Sequence, residues 1–232
     1  MHNFSSMQTK IFIQFLDAEI LRNKTSVLKH VSFTLQKGDF AYLIGPTGSG
    51  KSSLLQSISA QLPVQKGSLT VDDIPIHKMD KQAIPYLRRK IGIVSSDFPL
   101  SQHLSVEENL SLVLQATDWQ QNKSQKARIQ EVLTLLGIAN YSNKKIPELT
   151  KKVQLQVMIA RALLNAPSIL LLDEPTRHID ATAAQEILNF LFHYSQTQET
   201  TVLLATVDYS LTEILTADKV LLCKDQQVVE QE

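Results

Sequence analysis

Apolar residues fall along this chain in three regimes. In the first hundred positions they come as short runs or alternations bounded by turn residues. Residues 11–15 are apolar apart from Gln14, and residues 27–35 alternate through Val31, Phe33 and Leu35 before Lys37-Gly38-Asp39. Residues 40–44 form an unbroken apolar run that ends in glycine. Alternation predicts half-buried strands, and a short bounded run predicts a strand covered on both faces. Leu54, Leu55 and Ile58 then recur at helical spacing over 51–61. Residues 67–76 predict a hairpin around Asp72-Asp73, and 91–94 a further strand.

From about 104 to 164 the period becomes helical. Residues 106–114 are amphipathic. Residues 125–136 line up Ile129, Val132, Leu133 and Leu136 and stop at Gly137, and 153–164 stop before Pro167. The last regime alternates: strands over 169–172, 201–205 and 219–223, helices over 181–194 and 210–215. Strand–helix alternation predicts a parallel sheet, so the helical block is an inserted lobe. The expected organisation is a loose tail over 1–9 and one α/β domain over 10–232, with the helical lobe at about 99–165.

Composition narrows the class. At 232 residues the chain is one domain, and 43% hydrophobic with 20% charged residues excludes a disordered chain. Lys plus Arg number 23 and so do Asp plus Glu, which argues against a nucleic-acid coat or a polybasic membrane anchor. The one cysteine, Cys223, cannot close an internal disulfide. No run reaches the roughly 18–20 apolar residues of a membrane span, and the polar start lacks a signal-peptide core. The expectation is a cytoplasmic protein that meets a membrane only through a partner.

Two motifs carry chemistry. Gly45-Pro46-Thr47-Gly48-Ser49-Gly50-Lys51-Ser52 fits G-x-x-x-x-G-K-[ST] between an apolar strand and a helix, the context that motif requires. Glycines let backbone N–H groups approach phosphate oxygens, and the helix N-terminus adds positive potential. Lys51 supplies a cation for the β- and γ-phosphates, and the Ser52 hydroxyl suits Mg²⁺. Three of the seven glycines lie in this loop, more than an ordinary turn needs. The second motif is Ile169-Leu170-Leu171-Leu172-Asp173-Glu174-Pro175, an apolar strand ending in two carboxylates. Ligands of parallel sheets sit at the carboxyl ends of strands. Asp173 is therefore expected at the metal beside Ser52, and Glu174 at a water it orients or deprotonates.

With these motifs the sequence resembles the ATP-binding subunits of ABC transporters, from about residue 11 to 229. The resemblance includes Val27-Leu28-Lys29-His30-Val31-Ser32-Phe33, Lys37-Gly38-Asp39-Phe40, Ile159-Ala160-Arg161-Ala162-Leu163 and Asp173-Glu174-Pro175-Thr176. Tyr42-Leu43-Ile44-Gly45, Leu87-Arg88-Arg89-Lys90-Ile91-Gly92-Ile93-Val94 and Ala205-Thr206 before Asp208-Tyr209 are similar to the family's cell-division members. The resemblance implies a P-loop NTPase core with an antiparallel β lobe and a helical lobe. It also implies a homodimer or heterodimer with two ATP molecules between subunits. ATP and Mg²⁺ are the implied cofactors. The nucleotide site would comprise residues 45–52 with Ser53, and Thr150 from a signature loop. The implied partner is an integral membrane protein that, with this subunit, controls peptidoglycan hydrolases, which would hold the chain at the inner membrane.

The chain departs from the family at functional positions. The signature Leu-Ser-Gly-Gly becomes Leu149-Thr150-Lys151-Lys152. A side chain there obstructs close backbone approach to a phosphate. The lysines read as solvated groups on a degraded loop, or as flexible charges toward the partner's ATP. The metal-linked glutamine aligns with Ser96, whose short reach leaves a water-mediated Mg²⁺ contact. The switch histidine aligns with Val207, which has no side-chain donor. The adenine-stacking aromatic would fall near Leu21, but no aromatic lies between Asp17 and Ser26, so only an apolar contact remains; His178 reads as a surface histidine or a substitute γ-phosphate contact. The expected function is Mg-ATP binding with slow or absent hydrolysis in a cell-division complex. The alternatives are an ATP-dependent dimerisation switch or scaffold, or the ATPase subunit of another ABC exporter.

Overall fold

The computed structural model describes residues 10–117 and 122–231, so the expected tail over 1–9 lies outside the described residues. An antiparallel sheet has the order β2-β1-β4-β5, from β1 (Ile11–Arg22), β2 (Thr25–Gln36), β4 (Val64–Val71) and β5 (Ile74–Pro75). The second sheet runs β10-β9-β3-β8-β7-β6. Its strands are β3 (Phe40–Ile44), β6 (Ile91–Val94), β7 (Ile169–Asp173), β8 (Thr201–Thr206), β9 (Lys219–Lys224) and β10 (Gln227–Gln231). Every pair in it is parallel except β9 with the edge strand β10.

Side chains alternate across the parallel sheet with period two. Phe40, Tyr42 and Ile44 enter one core, together with Leu170, Leu172, Val202 and Leu204. Ala41 and Leu43 enter the other, with Leu171, Leu203 and Ala205. The first core continues into the helices α3 (Val106–Ala116), α4 (Asn122–Leu135) and α5 (Lys151–Leu163), and α6 (Ala181–Gln198) covers it. The second holds α1 (Lys51–Ile58) and the antiparallel sheet. Burying one such Leu or Ile contributes about 1.5–3 kcal/mol.

The helical block lies between β6 and β7 in the chain, as the change of period implies. Ser105 and Glu108 close a capping box at the start of α3. Asn109, 4% exposed, donates to the carbonyls of Ser101 and Ser105 at 3.1 and 2.9 Å, which fixes the chain entering the block. Arg128 on α4 donates to Leu163 O and Leu164 O at 2.8 and 2.9 Å, satisfying carbonyls at the end of α5.

Three elements differ from the sequence pattern. Strand β1 runs to Arg22, past 15, because Asp17 adopts φ 46 and its N–H donates to Ser32 Oγ at 2.9 Å. That bulge shifts the register and returns Ala18 and Ile20 to the core. The short helix α2 (Ile84–Arg89) buries only Leu87, too little for a visible period. Edge strand β10 buries only Val228. Among the described residues no helix is long and apolar enough to cross a membrane.

Candidate nucleotide site

The sheet register gathers the site. Ile44 pairs with Thr206, Asp173 with Ala205, and Val94 with Leu172, so the carboxyl ends of β3, β8, β7 and β6 lie side by side. The loop after β3 is held by the Gly45 N–H, which donates to Thr206 O at 3.2 Å. A Cβ at Gly45 would lie 2.1 Å from Cys223 O, so only glycine fits between β9 and the loop. Gly48 and Gly50 take φ 81 and 111, and Gly50 caps α1. The Lys51 amine folds back to Gly45 O at 2.7 Å and Pro46 O at 3.1 Å, leaving the residue 5% exposed. The first α-helical bond at this end joins Leu54 N–H to Gly50 O, so the amides of Lys51, Ser52 and Ser53 have no helical acceptor.

Glu174 follows β7 at φ 51, its N–H donating to Ala205 O at 2.9 Å. One carboxylate oxygen lies 3.4 Å from Lys51 Nζ, and the other accepts from the Val207 N–H at 3.2 Å. Asp173 sits beside Ser52, and its carboxyl is raised above the ordinary aspartate range. Burial is the chief cause; the Ser52 hydroxyl pulls the other way, and the Glu174 charge adds to the rise.

A cleft of about 370 Å³ opens between the phosphate loop and α5, within the size range of ligand sites. Thr47, Gly48, Lys51, Ser52, Asp173 and Glu174 line one side of it. Ser96 also lines it, as do Arg177 and His178 at its exposed rim. Ser53 is buried and does not reach the cleft, so its first-turn amide is what remains for a ligand. Thr150 stays outside the cleft: it is exposed and caps α5, its hydroxyl accepting from the Val153 N–H at 3.4 Å. Of the two signature lysines, Lys152 is ion-paired with Glu186 on α6, while Lys151 lines the cleft.

Among the described residues two buried side-chain polar atoms lack a partner, Ser49 Oγ and Asp173 Oδ1. A hydroxyl donor at the phosphate loop and a carboxylate oxygen beside Ser52 are what a phosphate oxygen and a hard cation would satisfy. Among the described residues no three His, Cys, Asp or Glu side chains cluster around a possible ion. Asp173 gives a first prediction. A buried carboxyl raised above its unfolded value opposes folding once the pH passes the unfolded value, so its charge destabilises the nucleotide-free protein at neutral pH. Asp173→Asn therefore raises the melting temperature of the nucleotide-free protein while removing Mg²⁺-dependent nucleotide binding. Thermal melts with and without Mg-ATP check both halves. In the unmutated protein, Mg²⁺-dependent binding weakens on acidification at a pH above that of an ordinary aspartate.

Two contributions have no signature in the sequence. Cys223 supports the loop from β9, its thiol donating to Ser49 O at 3.3 Å, and burial raises the thiol pKa. Val207 holds Glu174 through its backbone, which side-chain comparison does not register.

The ABC transporter family matches residues 28–177. The cell division ATP-binding protein FtsE of Streptococcus pneumoniae serotype 2 is 36% identical over 184 residues, 79% of each chain. The methionine import ATP-binding protein MetN 2 of Salmonella choleraesuis is 31% identical over 206 residues, 89% of this chain and 60% of that one. Among solved structures, the dimeric ATP-binding cassette MJ0796 bound to ADP and Pi superposes with a TM-score of 0.83 at 27% identity. The match covers 95% of this chain and 98% of that one. A phosphate loop, a carboxylate-tipped strand and an inserted helical lobe on this sheet order, with these matches, make the chain an ATP-binding subunit of the ABC transporter family.

Proposed function

We propose that the chain is the ATP-binding subunit of an FtsE–FtsX-like complex acting in cell division and peptidoglycan remodelling, one that retains Mg-ATP and hydrolyses it slowly. The single observation that carries this reading is an asymmetry at the site. Lys51, Ser52, Asp173 and Glu174 meet in one cleft, while the positions that complete the reaction in the family hold Ser96, Val207 and Lys151-Lys152.

Lys51 neutralises phosphate charge, and the amides at the start of α1 add fixed donors. Ser52 and Asp173 would hold Mg²⁺, with Ser96 reaching it through a water. The ion they would hold would supply Lewis-acid polarisation of the terminal phosphoryl group. Glu174 orients a water, and to do so its carboxylate must leave Lys51. The Val207 N–H steadies that carboxylate but offers nothing to the γ-phosphate beyond it. Losing one preorganised donor to a transition state lowers the rate by about 10²–10³. Dimerisation follows the solved relative, with Thr150 directed at a partner subunit's nucleotide. The membrane partner, resembling FtsX, would bring the chain to the inner membrane. An open groove of about 510 Å³ between β6 and the helical lobe, with Phe98 at 44% exposure, offers such a partner apolar surface.

A second reading, a dimerisation switch without turnover, is favoured by the engaged state of Glu174. Glu174→Gln separates the two. In a slow enzyme the variant holds ATP at least tenfold longer than the parent and accumulates as a dimer. In a switch, nucleotide lifetime and dimer fraction stay within about twofold.

A further inference from the structure

The turn that follows Glu174 is fixed at both ends. The Glu174 N–H donates to Ala205 O at 2.9 Å, the Ile179 N–H donates to Thr176 O at 3.2 Å, and the Asp180 carboxylate caps α6 by accepting from the Ala183 N–H at 2.9 Å. Arg177 stands on this turn. Its N–H donates to Glu174 O at 3.4 Å, so the two residues share one end of the cleft they line. Arg177 is exposed, and among the described residues its guanidinium has no hydrogen-bond or ion-pair partner. The nearby carboxylate does not take it: one Glu174 oxygen faces Lys51 and the other accepts from the Val207 N–H.

We propose that Arg177 contacts the terminal phosphate of bound ATP and makes the site prefer the triphosphate to ADP. The inference rests on the nucleotide-binding reading and adds to it the residue that tells the two nucleotides apart. Glu174 is expected at the water that faces the terminal phosphate, so a group beside Glu174 meets that phosphate and not the inner ones. Asp173 and Glu174 already put two carboxylates on this wall. A third phosphate adds negative charge there, and a free cation offsets it. A guanidinium suits the task, because its planar fork meets two phosphate oxygens at once, whereas His178 beside it offers only single donors. The fixed turn leaves only the side chain to be ordered on binding, which lowers the cost of the contact. Arg177 follows β7 and the phosphate loop follows β3, with only β8 between them in the sheet, so the contact needs no movement of the helical lobe. A contact made equally in bound ATP and in the transition state holds the nucleotide without speeding its cleavage. That fits a site that keeps Mg-ATP and turns it over slowly.

The test is a pair of equilibrium titrations, with Mg-ATP and with Mg-ADP, on the parent protein and on two variants. Arg177→Ala is expected to weaken Mg-ATP about tenfold, the worth of one exposed charge-assisted contact, and to leave Mg-ADP within about twofold. Arg177→Lys keeps the charge but not the fork, and is expected to weaken Mg-ATP about threefold. Thermal melts of both variants should match the parent, because the guanidinium holds nothing in the nucleotide-free fold. Equal weakening of ATP and ADP would overturn the inference, since it marks a disturbed loop or a general charge effect. Unchanged affinity for both nucleotides would overturn it too. If the parent protein binds neither nucleotide better than Lys51→Ala does, the nucleotide-binding reading itself fails and takes the inference with it.

Discussion

Lys51→Ala lowers Mg-ATP affinity by about a hundredfold or more while the protein stays folded. The amine has two roles. It is the buried cation facing the phosphate seat, and it holds the loop through the Gly45 and Pro46 carbonyls at 2.7 and 3.1 Å. Hydrogen bonds to charged groups contribute about 1.5–3 kcal/mol each, so losing the phosphate contact and part of the loop order removes about 3 kcal/mol of binding. Stability changes less, because water replaces the amine at exposed Pro46 and only the carbonyl of buried Gly45 is left without it. Titration with Mg-ATP, beside circular dichroism melts of both proteins, separates the effects. A Lys51→Ala protein that binds within fivefold of the parent would contradict the assigned role.

Gly45→Val has the other large effect, and it acts on the fold as well as the ligand. A Cβ at this position falls 2.1 Å from Cys223 O and 2.9 Å from Ser49 Oγ. The carbonyl belongs to β9, paired to β3 through Ile44 and Leu222, so neither strand can give way alone. Overpacking against backbone destabilises by about 3 kcal/mol, near 6–12 °C in melting temperature for a chain of this size. It also displaces the loop that seats the phosphates, so nucleotide binding is lost. Gly137→Ala is the comparison: Gly137 has φ 70 but no atom within 4 Å of the added carbon. It is expected to lose only about 1 kcal/mol, from backbone strain.

The parts of the molecule read correctly from sequence are those where local pattern and tertiary role coincide. Strand β3, the phosphate loop and α1 follow each other without interruption, and β7 is an apolar run that stops at Asp173. Both lie in the middle of the parallel sheet, where burial on two faces leaves an unbroken apolar signature. The apolar pattern of β1 stops at Phe15, although the strand runs on, because a bulge at Asp17 resets its alternation, and the Ser32 hydroxyl that holds the bulge lies on the neighbouring strand. Glu174 carried a legible role, but its restraint by the Val207 N–H is a backbone event that any residue could supply. Lys151 and Lys152 are adjacent and chemically identical. Only Glu186, remote in sequence, distinguishes a tethered lysine from one that faces the cleft.

Under the proposed function, the altered positions separate holding Mg-ATP from cleaving it. Holding Mg-ATP asks for the loop, Ser52 and Asp173, all in place around one cleft. Cleaving it asks for a freed Glu174 and donors at the γ-phosphate, and the valine at 207 presents only its amide, already bound to Glu174.

The most direct test is to incubate the purified protein with Mg²⁺ and labelled ATP, recover it, and identify the nucleotide it carries, with Lys51→Ala as the blank. The account predicts label above the blank that remains ATP over many minutes, with free phosphate released far more slowly than once per second. Turnover of several per second by the isolated protein, or no label above the blank, would contradict it.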